Sequence, residues 1–239
     1  FIRSTKRVQL TPEGEILFKH IEPAMNLIKQ GENQLLEANT LNGGQLRIGA
    51  SDTICRYYLL PYLNQFHKMY PHVHIKVTNQ TSIECARLLE HGQVDFIIIN
   101  HPNSALSTAH TPRVLREFRD VFVANREYFP LQDKVMSLLE LQPYPILMLD
   151  RKSTTSEFLH AMFQKSQLDL VPEIELSSND LLIDLARIGL GIAFVPDFCI
   201  PEDDRDLFVL KLEQDLPARQ IVVAFNENLP ISQAARQFM

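Results

Sequence analysis

The chain has 239 residues, of which 45% are hydrophobic and 22% charged, and it carries a formal net charge of −6. That is the composition of an ordinary globular protein with room for one large or two small domains. An acidic body argues against wholesale nucleic-acid binding, and apolar runs such as "DFIIIN" and "LGIAFVP" have the length of buried strands, far short of a bilayer span. Three cysteines, Cys55, Cys85 and Cys199, stand far apart with no CxxC, which points to reduced, buried thiols.

In chain order, the first nine residues carry Arg3, Lys6 and Arg7 without an acid, a basic tip suited to a local phosphate contact. Thr11-Pro12-Glu13 is a helix start: a capping hydroxyl, a proline at the first helical position, and acids at the positive end of the dipole. Apolar residues from Ile16 to Ala38 then recur at helical spacing, to about Asn39. Pro23 is expected to kink this helix near His20 or break it in two. Its apolar stripe needs a partner, either its own domain or a second chain. "TLNGGQ" (40–45) reads as a hinge.

After the hinge the rhythm changes. "QLRIGAS", "HVHIKVTN" and "VDFIIIN" read as strands, separated by helices in "YYLLPYLNQFHKMY" and "SIECARLLEHG". Residues 114–125 read as one extended run. "PILMLD", "EIELS" and "GIAFVP" then alternate with helices in "TSEFLHAMFQKS" and "DLLIDLARIG". The strands "LFVLKL" and "RQIVVAF" follow, and a last helix begins after Pro230. Alternation of this kind predicts parallel sheets with right-handed crossovers, here as an α/β fold of two Rossmann-like lobes around a cleft.

Small hydroxyls cluster at strand-to-helix junctions: Ser51 and Thr53, Thr81 and Ser82, and Ser153, Thr154 and Thr155. Ligand crevices of open parallel sheets lie at the carboxyl ends of the strands, where helix starts present free amides to an anion. Any one of these residues also reads as a plain N-cap; the case rests on caps from both lobes facing one cleft. Asn100, with His101 and Pro102, follows the third strand and is a further candidate for the lining. His72 and His74, at i, i+2 with no acid or cysteine at ligand spacing, read as exposed strand histidines rather than a metal site. "IGASDT" lacks the second glycine of a nucleophile elbow, and no GxGxxG or P-loop occurs, so neither catalysis nor a cofactor is expected.

At this point the chain resembles the LysR-type transcriptional regulators. The resemblance rests on "FIRSTKRVQLTPEGEIL", on "LRIGASDTICRYYLLPYLNQFHKMYPHVHIKV", on "RLLEHGQVDFIII" and on "GLGIAFVP", in that order. It implies that residues 1–12 are the remnant of a winged helix-turn-helix and 13–44 a linker helix for dimerisation with its hinge. An effector domain similar to type II periplasmic solute-binding proteins then follows, with lobe I at 45–119 and 226–239 and lobe II at 120–225. The chain would cross between lobes near 118–125 and return near 219–226. Arg3, Lys6 and Arg7 match the wing, whose contacts position a protein on DNA without reading sequence. The groove-reading helices are expected to lie outside this fragment, so DNA binding would belong to the full-length parent.

The family's effector residues carry over to Ser51, Thr53, Thr81, Ser153 and Thr155. The second-lobe loop departs from the family's glycine-rich pattern, with Lys152 as a counter-charge. The implied partner is a small anionic effector that controls DNA binding allosterically. The implied setting is a cytoplasmic homodimer or homotetramer without a membrane contact. A transport-type solute receptor accounts for the cleft but not for the wing and linker helix, and a hydrolase or transferase would need an acid–base pair that the sequence does not display.

Overall fold

A computed structural model of the chain describes residues 2–3, 8–39, 44–107, 110–201 and 203–239. Two short strands come first, β1 (Ile2–Arg3) pairing antiparallel with β2 (Val8–Gln9). Helix α1 (Pro12–Asn39) follows, with the Gly14 amide donating to Thr11 Oγ1 at 3.1 Å and Glu13 and Glu15 in its first turn. The break expected at Pro23 does not occur: α1 runs continuously for 28 residues through it. A proline inside a helix costs about 3 kcal/mol, mostly one lost amide donor and one clash, and the intact turns on either side carry the helix past it. Ile16, Leu17, Ile21, Met25 and Ile28 of α1 are exposed. Contacts of α1 with the body include two polar ones: Asn26 Nδ2 donates to the His91 carbonyl, and Gln93 Nε2 donates to Glu22. The hinge expected at 40–45 falls mostly on residues outside those described.

The strand β3 (Gly44–Ala50) leads into a helical run that begins as α2 (Asp52–Ile54), passes through a π-turn (Cys55–Leu59) and continues as α3 (Leu60–Met69). β4 (Val73–Asn79), α4 (Ser82–Glu90), β5 (Phe96–His101) and β6 (Arg113–Phe118) complete the first pass. The second comprises β7 (Asp120–Asn125), β8 (Val135–Met136), α5 (Leu138–Leu141), β9 (Ile146–Leu149), α6 (Thr154–Lys165), β10 (Ile174–Leu176), α7 (Asn179–Arg187), β11 (Ile192–Pro196), β12 (Leu207–Val209) and β13 (Lys211–Leu212). β14 (Arg219–Phe225) and α8 (Gln233–Phe238) close the chain.

These strands form two five-stranded sheets, ordered β4-β3-β5-β14-β6 in lobe I and β10-β9-β11-β7-β12 in lobe II. In each lobe three strands run parallel, and the strand entering from the other lobe runs antiparallel to them. The run expected at 114–125 is two strands, split at Arg119, where the chain leaves one sheet for the other. "LFVLKL" likewise divides into β12 and β13. Residues 219–225, expected in lobe II, pair with β5 and β6 in lobe I, so the return crossing precedes Arg219. Alternation marks β14 as a buried strand but not its sheet; its side chains decide that. Ile221 and Val223 pack with Ile48 and Phe96 on one face, while Val222 and Ala224 pack with Ile97 and Ile99 on the other.

The same period-2 logic builds lobe II. Phe122, Ile146, Met148 and Phe194 face α6, whereas Val123, Leu147, Ala193 and Val195 face α7. Two motifs of the sequence prove architectural. Asp95 of "GQVDF" is buried and accepts from the Arg47 amide at 2.9 Å, from Arg47 Nη2 at 2.7 Å and from Ser232 Oγ at 3.2 Å, tying three segments of lobe I together. In "GLGIAFVP", Gly189 ends α7 with φ +81, and a side chain on Gly191 would meet the Pro145 carbonyl at 2.4 Å.

All three cysteines are free, with Cys85 and Cys199 buried and Cys55 partly so. Burial pushes the Cys55 thiol up to about 11, the Cys85 thiol up to about 12 and that of Cys199 higher still. Thiols held protonated are poor nucleophiles. In a disulfide-exchange assay at pH 8 the folded chain is expected to label slowly, and addition of urea is expected to release all three thiols. Rapid labelling of one thiol in the native state would contradict the inert assignment.

Candidate functional site

Between the lobes lies a cleft of about 410 Å³. The local folding that makes it is the same four times over: a strand or extended segment ends, a hydroxyl caps a helix, and the cap faces the opposite lobe. Ser51 Oγ accepts from the Ile54 amide (3.4 Å) and Thr81 Oγ1 from the Glu84 amide (3.2 Å) in lobe I. Ser153 Oγ accepts from the Ser156 amide (3.1 Å) and Ser178 Oγ from the Leu181 amide (3.4 Å) in lobe II. Each cap satisfies one amide of its first helical turn, and the helix dipole adds partial positive charge. Helix starts of this kind, with alcohols placed beside them, are an arrangement that can receive an anion.

All of the residues singled out from sequence for ligand contact, Ser51, Thr53, Thr81, Asn100, Ser153 and Thr155, line this cleft. Asn100 does so from within β5 rather than from a loop after it. Lys152 does not: it is exposed and stands outside the lining, so the cleft takes no counter-charge from it. His72 lies in the turn before β4 and His74 on the strand, both exposed. Of the three basic residues expected to form a wing, Arg3 falls in β1, while Lys6 and Arg7 lie outside the described residues.

Sequence reasoning missed Asp52, Asn79, Gln80, Asp150, Ser177, Ser178 and Asn179, which also line the cleft. For the last three a signal was available, since "SSND" before an apolar-periodic run is a helix start. One of them, Asn179, reaches across the lobes, as do two pairs beside the cleft. Asn179 Nδ2 donates to Thr53 Oγ1 at 2.8 Å, and the Tyr57 hydroxyl donates to Asp180 Oδ1 at 2.5 Å. Burial, with that carboxylate partner, pushes the Tyr57 phenol up, so it stays a donor. On the other flank Ser104 Oγ meets Glu157 at 3.2 Å.

Also missed was Arg219, 1% exposed behind the cleft. Its Nη1 bonds Asp120 Oδ2 at 2.6 Å and Thr155 Oγ1 at 3.1 Å, and its Nη2 bonds Thr154 Oγ1 at 2.9 Å. The guanidinium lies 5.4 Å from the ring centre of Phe118 and 5.1 Å from that of Phe158. Burial raises the Asp120 carboxyl above the ordinary range, and the attraction of Arg219 opposes that shift. No sequence pattern announces this pair, whose members are 99 residues apart.

The fold and the cleft together define a two-lobed, periplasmic-binding-protein-like domain made to hold a small molecule. Residues 39–239 match the family model described as "LysR substrate binding domain", and the chain belongs to the LysR family of transcriptional regulators. It is 25% identical over 244 residues to a probable RuBisCO transcriptional regulator of Trichormus variabilis, covering 100% of this chain and 72% of that protein. The regulatory domain of CcmR from Synechocystis in complex with 2-PG superposes with a TM-score of 0.73 at 20% identity, over 82% of this chain and 93% of that one. HinK, a LysR family regulator from Pseudomonas aeruginosa, matches over 97% of this chain and 80% of its own, with a TM-score of 0.66 and 20% identity. Among the described residues no helix is long and apolar enough to cross a membrane, and no group of His, Cys, Asp and Glu is arranged to hold a metal ion.

Removing one member of a buried ion pair leaves the other uncompensated, at a cost of about 3–5 kcal/mol, whereas replacing both by apolar residues is far milder. Arg219→Ala is therefore expected to lower the urea midpoint by that order. The double variant Arg219→Met with Asp120→Leu is expected to recover most of the loss. Equal destabilisation by single and double variants would show that the ion pair is not what Arg219 contributes.

Proposed function

We propose that the cleft binds a small acidic metabolite, and that lobe closure around it is transmitted through α1 to DNA-binding heads carried by the whole regulator. The observation that carries this reading is the convergence of capped helix starts from both lobes on one cavity. A ligand held by amides of both lobes gains more from the closed arrangement than from the open one, and only such a difference can shift the equilibrium. Moving a two-state element from 1:99 to 99:1 takes about 5.5 kcal/mol of that difference. Ser51, Thr53, Thr81, Asn100, Ser153 and Thr155 are the contact residues in this reading.

The exposed apolar face of α1 supports a homodimer or homotetramer formed through that helix, since surface of this kind is costly to leave in water. Arg3, Lys6 and Arg7 then contact the phosphate backbone of DNA in the full-length parent, in the cytoplasm. A transport receptor would share the cleft, but α1 and the β1–β2 ribbon have no part in its work.

A thermal-shift screen of the chain against 2-PG, inorganic phosphate and small organic acids is the first test. A ligand at a hundred times its Kd stabilises the native state by about 2.7 kcal/mol. For whichever acid binds, Thr81→Val and Thr155→Val are each expected to weaken the calorimetric affinity about tenfold, the loss of one ligand hydrogen bond, with the circular dichroism unchanged. Unchanged affinity in both variants would remove this cleft as the binding site.

A further inference from the structure

The polar groups that line the cleft are not those of a simple anion trap. They include two carboxylates, Asp52 and Asp150, and no lysine, arginine or histidine. Of the four side-chain amides in the lining, Asn79, Gln80, Asn100 and Asn179, two are buried, Asn100 from lobe I and Asn179 from lobe II, 8% and 5% exposed. The Asn179 nitrogen is occupied by Thr53, and Asn100 is anchored through its backbone amide to Ser82 Oγ at 3.1 Å. The side-chain oxygens Asn100 Oδ1 and Asn179 Oδ1 are both buried and both without a hydrogen-bond partner. Each asks for a donor that the protein does not supply.

An acid group alone cannot answer that request. It is acceptor-only when ionised, so it satisfies the amides of the helix starts, leaves the oxygens of Asn100 and Asn179 unmet, and is repelled by Asp52 and Asp150, each of which already accepts one bond, from Asn79 Nδ2 and from the Lys152 amide. A buried acceptor without a partner costs about 1–3 kcal/mol, and regaining that cost on binding is what makes a site discriminate. We infer that the occupant of the cleft carries, beside its acid group, hydrogen-bond donors on the same small skeleton, in the form of hydroxyl or ammonium groups. Its acid end sits on the amides of the capped helices, and its donors meet Asn100, Asn179 and the two carboxylates. This inference rests on the cleft being the effector site and narrows the class of molecule that enters it: a hydroxy acid or an amino acid rather than a plain acid.

The test is calorimetry on the full 239-residue chain with matched triplets that differ only at one carbon: propionate, lactate and alanine; succinate, malate and aspartate; glutarate, 2-hydroxyglutarate and glutamate. In a triplet that binds, the hydroxyl- or ammonium-bearing member is expected to bind at least tenfold tighter than the plain acid, and the better of the two names the donor. Asn100→Leu removes one orphaned acceptor without removing a bond the fold uses. It is expected to leave the unfolding midpoint unchanged or higher while cutting the advantage of the donor-bearing ligand by tenfold or more. Plain acids that bind as tightly as their partners would overturn the inference and leave the acid site standing. An advantage that survives intact in Asn100→Leu would remove Asn100 from it. No binding by any of the nine acids, nor by 2-PG or inorganic phosphate, at millimolar concentration would sink the small-acid site itself, and the inference with it.

Discussion

A guanidinium taken wholly out of water must find an anion and hydrogen-bond acceptors, or the chain does not fold around it. Arg219 finds them at the one place where both crossings between lobes come together. Asp120 opens β7, immediately after the chain has passed into lobe II, and Arg219 opens β14, immediately after it has returned. Their 2.6 Å contact therefore joins the two connections to each other, each at its first residue in the new sheet. The guanidinium continues to Thr154 and Thr155, the first two residues of α6, and is covered by the rings of Phe118 and Phe158. One buried charge thus sets the hinge and the most buried of the helix starts at the cleft in a single arrangement, and a change at either is felt at the other.

That coupling gives meaning to the chemistry of the cleft wall. Thr154 and Thr155 accept from Arg219, which leaves their hydroxyl hydrogens available to a ligand and polarised by a cation that never itself enters the cavity. The positive character of the cleft is therefore indirect, made of helix dipoles and of a charge already paired with Asp120. An unpaired lysine in the same place would hold any anion of suitable size. A cradle of oriented amides holds an anion by geometry, and it tolerates the carboxylates of Asp52 and Asp150 beside it. A site built in this way selects by the pattern of donors and acceptors rather than by charge.

How much of this could be read in the sequence follows from how local each feature is. The alternation of strands and helices and the caps Ser51, Thr81 and Ser153 depend on residues within one turn of each other, and they were legible. So was the general place of the cleft, because the carboxyl ends of parallel strands follow from the alternation. The membership of β14 was not, since Ile221 and Val222 look alike as buried strand residues whichever sheet receives them. Arg219 was hidden for a stronger reason: its partners lie 64, 65 and 99 residues away, and nothing near it in the chain is unusual. Asn100 was noticed as a loop residue, and its actual importance, a buried oxygen without a donor, exists only once β5 is packed against Ser82.

The contacts that cross the mouth of the cleft differ in kind from those at the hinge. Thr53 with Asn179, Tyr57 with Asp180, and Ser104 with Glu157 are isolated hydrogen-bonded pairs, and apart from Asn179, which is buried, their members are partly or fully exposed. Arg56 approaches Asp180 only to 3.6 Å, with its side chain 64% exposed. The neutral bond of Thr53 with Asn179 contributes about 1 kcal/mol, the bonds to the Asp180 and Glu157 carboxylates about 1.5–3 kcal/mol each, and an exposed ion pair about 0–1 kcal/mol. Together they amount to a few kcal/mol, the same order as the affinity difference a ligand must supply to move the lobes. Removing Arg219 from its partners at the hinge would cost about as much as breaking all of them, and it would do so without opening a path to the cleft. The contacts between the lobes are accordingly strongest at the crossings and weakest at the mouth, the inequality that the proposed control by a small molecule requires.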